Sequence, residues 1–115
     1  MVFTNGPRSY ADRVLRVLGL TEVFDEVFDL FAADLVPKPH AGTYRRFVER
    51  FSIDPARAIM FDDIARNLDV PQEWGMATGW MQPDRVGDLG GPFTIAGDGP
   101  LRLHVHDLEA TLRSV

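Results

Sequence analysis

The sequence predicts an α/β fold with a mostly parallel sheet covered on both sides, and three observations carry that prediction. Short β-type runs alternate with segments of helical period along the chain. One run, Ala58-Ile59-Met60-Phe61, is apolar on both faces, which suits a strand buried in the middle of a parallel sheet. The 115 residues, 45% hydrophobic and 25% charged, suffice for one core and not for two. A chain of this length buries roughly 65% of the surface its unfolded form exposes, so a single domain over residues 1–115 is expected.

The elements follow in order. Val2-Phe3-Thr4-Asn5 reads as a strand stopped by Gly6-Pro7. From Ser9, the helical spacing of Tyr10, Val14, Val17 and Leu18 predicts an amphipathic helix with Gly19 as its stop. A helical turn starts at Thr21, and residues 27–31 form a candidate second strand, although the phenylalanines there would also suit a helix. Val36-Pro37-Lys38-Pro39 is a rigid loop presenting Lys38, because two prolines remove donors and restrict their predecessors. His40 starts the next helix, on which Tyr44, Phe47, Val48 and Phe51 recur at helical spacing.

The apolar run at 58–61 ends abruptly in Asp62-Asp63, residues 64–74 read as helical with a break at Pro71, and residues 76–81 as a strand. Seven of the fourteen residues from 87 to 100 are Gly or Pro, so a long loop is expected there. A strand over 101–105 and a helix from Asp107, with Leu108 and Leu112 facing inward, close the chain.

Composition narrows the functional classes. A net charge of −5 gives no basic face for a nucleic-acid polymer or an anionic membrane. The absence of Cys removes disulfides, thiolate metal sites and Cys nucleophiles, and fits a reducing compartment. No apolar run approaches the length of a membrane span. A soluble, cytoplasmic protein is the expectation.

Asp62-Asp63, followed by Asn67, is the strongest chemical feature. Two adjacent carboxylates at a strand end repel each other unless a cation or a hydrogen-bond network compensates. Oxygen ligands of this kind suit Mg²⁺, whereas the plainer reading makes one Asp a helix cap and leaves the other solvated. Thr4 and Asn5 end another strand, where they either hold phosphate oxygens or form a turn. Lys38 either neutralises a phosphoryl group or sits in solvent. His104 and His106 share a strand face and read as structural, since two His without a third ligand make no metal site. The Gly-rich segment lacks the spacing of a phosphate loop.

The order of these features distinguishes the readings. A strand ending in Thr-Asn, a Lys between prolines and an apolar strand ending in Asp-Asp-x-x-x-Asn place a hydroxyl, a cation and a diacid on one edge of a parallel sheet. Phosphoryl transfer needs that set. A phosphoryl-accepting receiver domain has similar parts, but places its acidic pair first and its Lys last.

The chain resembles the haloacid dehalogenase superfamily of phosphatases. Val2-Phe3-Thr4-Asn5 is similar to its second motif, Lys38 in Pro37-Lys38-Pro39-His40 to its third, and Phe61-Asp62-Asp63 with Asn67-Leu68 to its fourth. Within the superfamily, Gly75-Met76 and the style of residues 20–44 most resemble the pyrimidine 5′-nucleotidase branch. The resemblance covers residues 2 to about 81 and implies a three-layer, Rossmann-like core. It implies that Thr4 and Asn5 hold the substrate phosphate and that Lys38 stabilises the phosphoryl group and the nucleophile. Asp63 would be the principal Mg²⁺ ligand, with Asp62 and Asn67 supporting. Asn67 stands where many relatives have Asp, and Ile64 where many have Ser.

The family's first motif, an Asp-x-Asp pair supplying the nucleophile and the acid/base, precedes the Thr-Asn motif, with a cap module between. This sequence starts at the second motif and contains no Asp-x-Asp. The resemblance therefore implies an N-terminally truncated chain whose sheet is incomplete at its centre and which is nearly inactive alone. In complete form it would be a Mg²⁺-dependent phosphatase of nucleoside monophosphates or similar small phosphomonoesters. The alternative is a non-catalytic module that assembles through exposed strand edges, with itself or with a complementing chain.

Overall fold

The computed structural model describes residues 1–82 and 91–114. The chain is α/β, and its strands fall into a two-stranded parallel sheet and a four-stranded, mostly parallel sheet. It divides into two compact units, Met1–Phe51 and a second beginning at Ser52.

In the first unit, β1 (Val2–Phe3) pairs in parallel with β2 (Val27–Phe28), with α1 (Arg8–Val17) between them in sequence. Both strands are shorter than the sequence predicts. The Thr4 amide still donates to the Phe28 carbonyl (3.0 Å), but beyond that point the Thr4 hydroxyl accepts from the Gly6 amide (3.0 Å) and the chain turns. The predicted strand over 27–31 likewise stops at Phe28, because Asp29 turns the backbone with its own side chain.

A ladder of two residues holds little by itself. The unit is instead fixed by rings. Phe3 stacks on Phe47 at 4.6 Å between centroids and meets Phe28 and Tyr44 edge-on at 5.2 and 5.5 Å. Tyr44 and Phe47 come from α2 (Ala41–Arg50), the helix that their spacing predicts. His40 caps it as expected, its ring Nδ1 accepting from the Gly42 amide at 3.2 Å. Helix α1 departs from expectation. Of its apolar stripe, Tyr10 is 60% and Val17 80% exposed, and the buried contact is made by Ala11.

The second unit opens with a 3₁₀ turn, Pro55–Arg57, which leads into β3 (Ile59–Asp62). A further 3₁₀ segment, Ala65–Leu68, runs into α3 (Asp69–Glu73), then come β4 (Ala77–Met81), β5 (Phe93–Ile95), β6 (Arg102–Val105) and α4 (Leu108–Ser114). The sheet order is β3-β4-β6-β5, with β5 antiparallel to β6 and the other pairs parallel.

Four expectations are corrected here. The apolar run does not lie in the middle of its sheet, since β3 is a terminal strand with Ile59 40% exposed. Its apolar character serves packing across the face instead: the Phe61 ring lies over Gly79 of β4, where a Cβ would meet it at 2.3 Å. The segment 87–100 is not one long loop, because Phe93–Ile95 forms β5; residues 87–90 lie outside the described residues. Pro71 does not break its helix. It sits in the first turn of α3, where a missing amide proton removes no intrahelical bond, and the change from 3₁₀ to α winding comes earlier, at Leu68. In α4, Leu112 is 52% exposed, and Thr111 faces inward with its hydroxyl donating to the Asp107 carbonyl (2.6 Å).

Candidate functional site

The sequence-predicted site residues form one cluster in each unit. In the first, Thr4 and Asn5 follow the carboxyl end of β1, and the loop carrying Lys38 is tied to them. The Lys38 amide donates to Asn5 Oδ1 at 2.8 Å, and Asn5 Nδ2 donates back to the Lys38 carbonyl at 3.3 Å. The ammonium of Lys38 donates to the Phe3 carbonyl at 2.9 Å and lies 4.8 Å from the centroid of the Phe3 ring. A flexible four-carbon stem is thereby held at the end of β1, over a ring that favours a cation. The structure brings Asn5 and Lys38, 33 residues apart, into direct contact.

In the second unit, Asp62 ends β3 and Asp63 follows it. Asp62 Oδ1 accepts from the Ile64 amide at 2.9 Å, and both its oxygens accept from Asn67 Nδ2 at 3.2 Å. Asn67 is buried, so its amide is a fixed donor. Asp63 is exposed. Its carbonyl accepts from the indole N–H of Trp80 at 3.1 Å, which pins the turn while the carboxylate faces solvent. The two adjacent carboxylates are thus differentiated: one is engaged by protein donors, the other is accessible.

For Mg²⁺ this donor set fits an ion that keeps most of its waters, since Mg²⁺ takes one or two carboxylates and dehydrates reluctantly. Asp63 would hold it, with Asp62 supporting. Among the described residues, no group of three or more His, Asp or Glu side chains converges on a common point. An all-protein cage is therefore not what these residues form.

Two positions escape a reading of the sequence. Asp29 is buried; its Oδ2 accepts from the amide of Arg8, the first residue of α1 (2.8 Å), and its Oδ1 from the Ala32 amide (2.9 Å). The Ala32 N–H, chiefly, and the Arg8 N–H hold its carboxyl below the usual value of 3.8 against the opposing effect of burial. It caps α1 from 21 residues beyond Arg8, which Pro7 at the N-cap position does not do. Trp80 is the other. It stands opposite Asp62 in the β3–β4 register, a pairing that needs the sheet order to be known.

The described residues contain no helix long and apolar enough to cross a membrane. Comparison with known proteins adds the relationship. The chain is 33% identical over 82 residues to enolase-phosphatase E1 of Frankia alni, an alignment that covers 70% of this chain and 31% of that protein. The chain thus spans about a third of the length of this curated relative. A family model described as haloacid dehalogenase-like hydrolase matches residues 1–72, which hold both clusters from Thr4 to Asn67. On that match, the chain belongs to the haloacid dehalogenase-like hydrolases.

Proposed function

We propose that this chain carries the phosphate-holding and Mg²⁺-holding residues of a phosphomonoester phosphatase. The observation that carries the reading is the Asn5–Lys38 clamp, which ties the Lys38 loop to Asn5 while the Lys38 ammonium is held on the Phe3 carbonyl, at the carboxyl end of a parallel strand. Thr4 and Asn5 would bind phosphate oxygens, and Lys38 would neutralise charge on the transferring group. Mg²⁺, when bound at Asp63 with Asp62 supporting, supplies further charge stabilisation. Asn67 keeps the Asp62 carboxylate oriented.

Small phosphomonoesters are the substrate class in this reading. Nucleoside monophosphates come first, on the resemblance of residues 20–44 and Gly75-Met76 to the pyrimidine 5′-nucleotidase branch. The relative named enolase-phosphatase favours a broader panel. Because the sequence contains no Asp-x-Asp pair to supply nucleophile and acid/base, the chain alone is expected to be inactive or nearly so. The Cys-free composition suits a cytoplasmic setting.

The test separates binding from turnover. Calorimetry should show Mg²⁺ binding that Asp63→Asn removes, and inorganic phosphate binding that Lys38→Met weakens by roughly tenfold, the loss of one charge-assisted contact. Unchanged binding in both variants overturns the proposal. Robust Mg²⁺-dependent hydrolysis of p-nitrophenyl phosphate by the 115-residue chain, lost in Asp63→Asn, overturns the inactivity.

A second reading, assembly through a strand edge, is favoured by the terminal place of β3 in its sheet and the exposure of Ile59. Light scattering checks it: a strictly monomeric, folded chain counts against it.

A further inference from the structure

Beside the Asp62-Asp63 turn, which Trp80 pins, one face of the four-stranded sheet carries a cavity of about 210 Å³. The register explains its lining. Thr78 pairs with Arg102 and Trp80 with His104 across β4 and β6, so these four side chains stand on the same face. The segment leading into α3 covers them from one side, and Ala96-Gly97, just beyond β5, from another.

The polar groups in this cavity are unequally engaged. Gln72 donates its amide to the Thr78 hydroxyl at 3.0 Å, and the Trp80 indole N–H is committed to Asp63. The rings of Trp80 and His104 meet edge-to-face at 5.3 Å and form a rigid wall. Arg102 differs. Its Nε is shut off from water and has no acceptor among the described residues, and its guanidinium makes no ion pair with any described carboxylate. A half-buried cation without a counter-charge is costly, and in most proteins such a group is paired. Asp69 lines the same cavity but is exposed, and it does not approach Arg102 within ion-pair distance.

We propose that this cavity is a binding site for a small oxyanion, a carboxylate or a phosphate, which pairs with the Arg102 guanidinium against the wall of Trp80 and His104. Arginine's planar fork matches either group in two-point contact. The volume limits the ligand: about seven waters' worth of liquid fits, well below a drug-sized molecule. A small acid or free phosphate is the right scale. The Asp69 carboxylate at the rim disfavours ligands of high negative charge and keeps the affinity modest.

Trp80 supplies the readout. Sodium acetate and sodium phosphate are titrated into the full chain carrying Trp74→Phe, so that Trp80 is the remaining indole, with sodium chloride at matched ionic strength as reference. The expected result is a saturable change in Trp80 emission in the millimolar range, weakened roughly tenfold by Arg102→Gln and unaffected by Lys38→Met. Comparison of the acetate and phosphate arms tells which oxyanion the cavity takes. The proposal is overturned if the emission follows ionic strength alone, or if Arg102→Gln titrates like the parent. Should Arg102→Gln fail to fold, the Arg102 Nε–H resonance of the unmutated chain decides: it must shift on saturation with the better anion, and a stationary resonance overturns the site.

Discussion

Asn67 Nδ2 donates to both oxygens of Asp62, at 3.2 Å each, from a buried position five residues on. The amide does for Asp62 what a cation would otherwise do, and the Ile64 amide adds a third contact. Where the family resemblance leads one to expect a further Asp, a neutral donor faces the Asp62 carboxylate.

Replacing that donor gives a signed prediction. Asn67→Ala removes one donor from each Asp62 oxygen, while the Ile64 amide stays on Oδ1, and should lower stability by about 1–3 kcal/mol. Asn67→Asp should destabilise the metal-free chain as well, through repulsion between neighbouring carboxylates. The two variants part on adding Mg²⁺. The Asp variant should gain more in Tm than the parent, and the Ala variant less. Equal Mg²⁺-induced shifts in all three would show that Asn67 has no connection with the metal site.

Asn5 holds Lys38 by its main chain, so its loss should act through positioning of Lys38 as well as through its own contact with phosphate. Asn5→Ala removes two exposed hydrogen bonds of about 0.5–1.5 kcal/mol each. It should lower stability by about 1–3 kcal/mol at most while weakening phosphate binding about five- to tenfold, as the loop carrying Lys38 gains freedom. Calorimetry with inorganic phosphate checks this. A large fall in Tm with unchanged phosphate affinity would make Asn5 a structural residue only.

Gly79 is the position on β4 where a side chain is excluded. A Cβ there would lie 2.3 and 2.5 Å from ring atoms of Phe61 and 3.2 Å from Val105. Phe61 and Gly79 are register partners, so the ring must shift to make room for a Cβ. Gly79→Ala should cost about 1–3 kcal/mol by overpacking, despite the gain expected from removing a strand glycine. Urea unfolding followed by Trp emission reads it directly, because Trp74 and Trp80 both belong to the second unit.

What the sequence makes legible depends on how local the cause is. Helix α2 and its His40 cap follow from spacing and a residue type within a few positions, and both stand. The Asp62-Asp63 turn is placed by an abrupt change from apolar to acidic residues. The exposure of Tyr10 and Val17 is not legible, because a helical stripe shows which residues share a face and not whether anything covers it. The terminal place of β3 is hidden for the same reason: Met60 and Phe61 are apolar whether they pack under a helix or across a glycine. The segment 87–100 misled through composition, since Gly and Pro flank β5 without entering it. At the candidate site, residue types and strand ends were legible, whereas the Asn5–Lys38 clamp and the Trp80–Asp63 contact depend on partners 33 and 17 residues away.

Asp29 provides a test by pH. Its carboxylate accepts the Arg8 and Ala32 amides, so the folded state favours the ionised form and the folded pKa lies below the unfolded value. The stabilisation is therefore fully present above about pH 4–5 and is lost as the pH falls through the folded pKa. Asp29→Asn keeps the shape, removes the charge and should cost about 1–2 kcal/mol at pH 6, the range of a lost cap at a helix start. The difference between parent and variant should stay flat from pH 7 to about 5 and shrink below about pH 4. The first unit contains Tyr10 and Tyr44 but no Trp, so tyrosine emission during urea unfolding reports it. A difference that is constant down to the lowest pH, or that widens on acidification, would mean that the Asp29 charge contributes nothing to holding the start of α1.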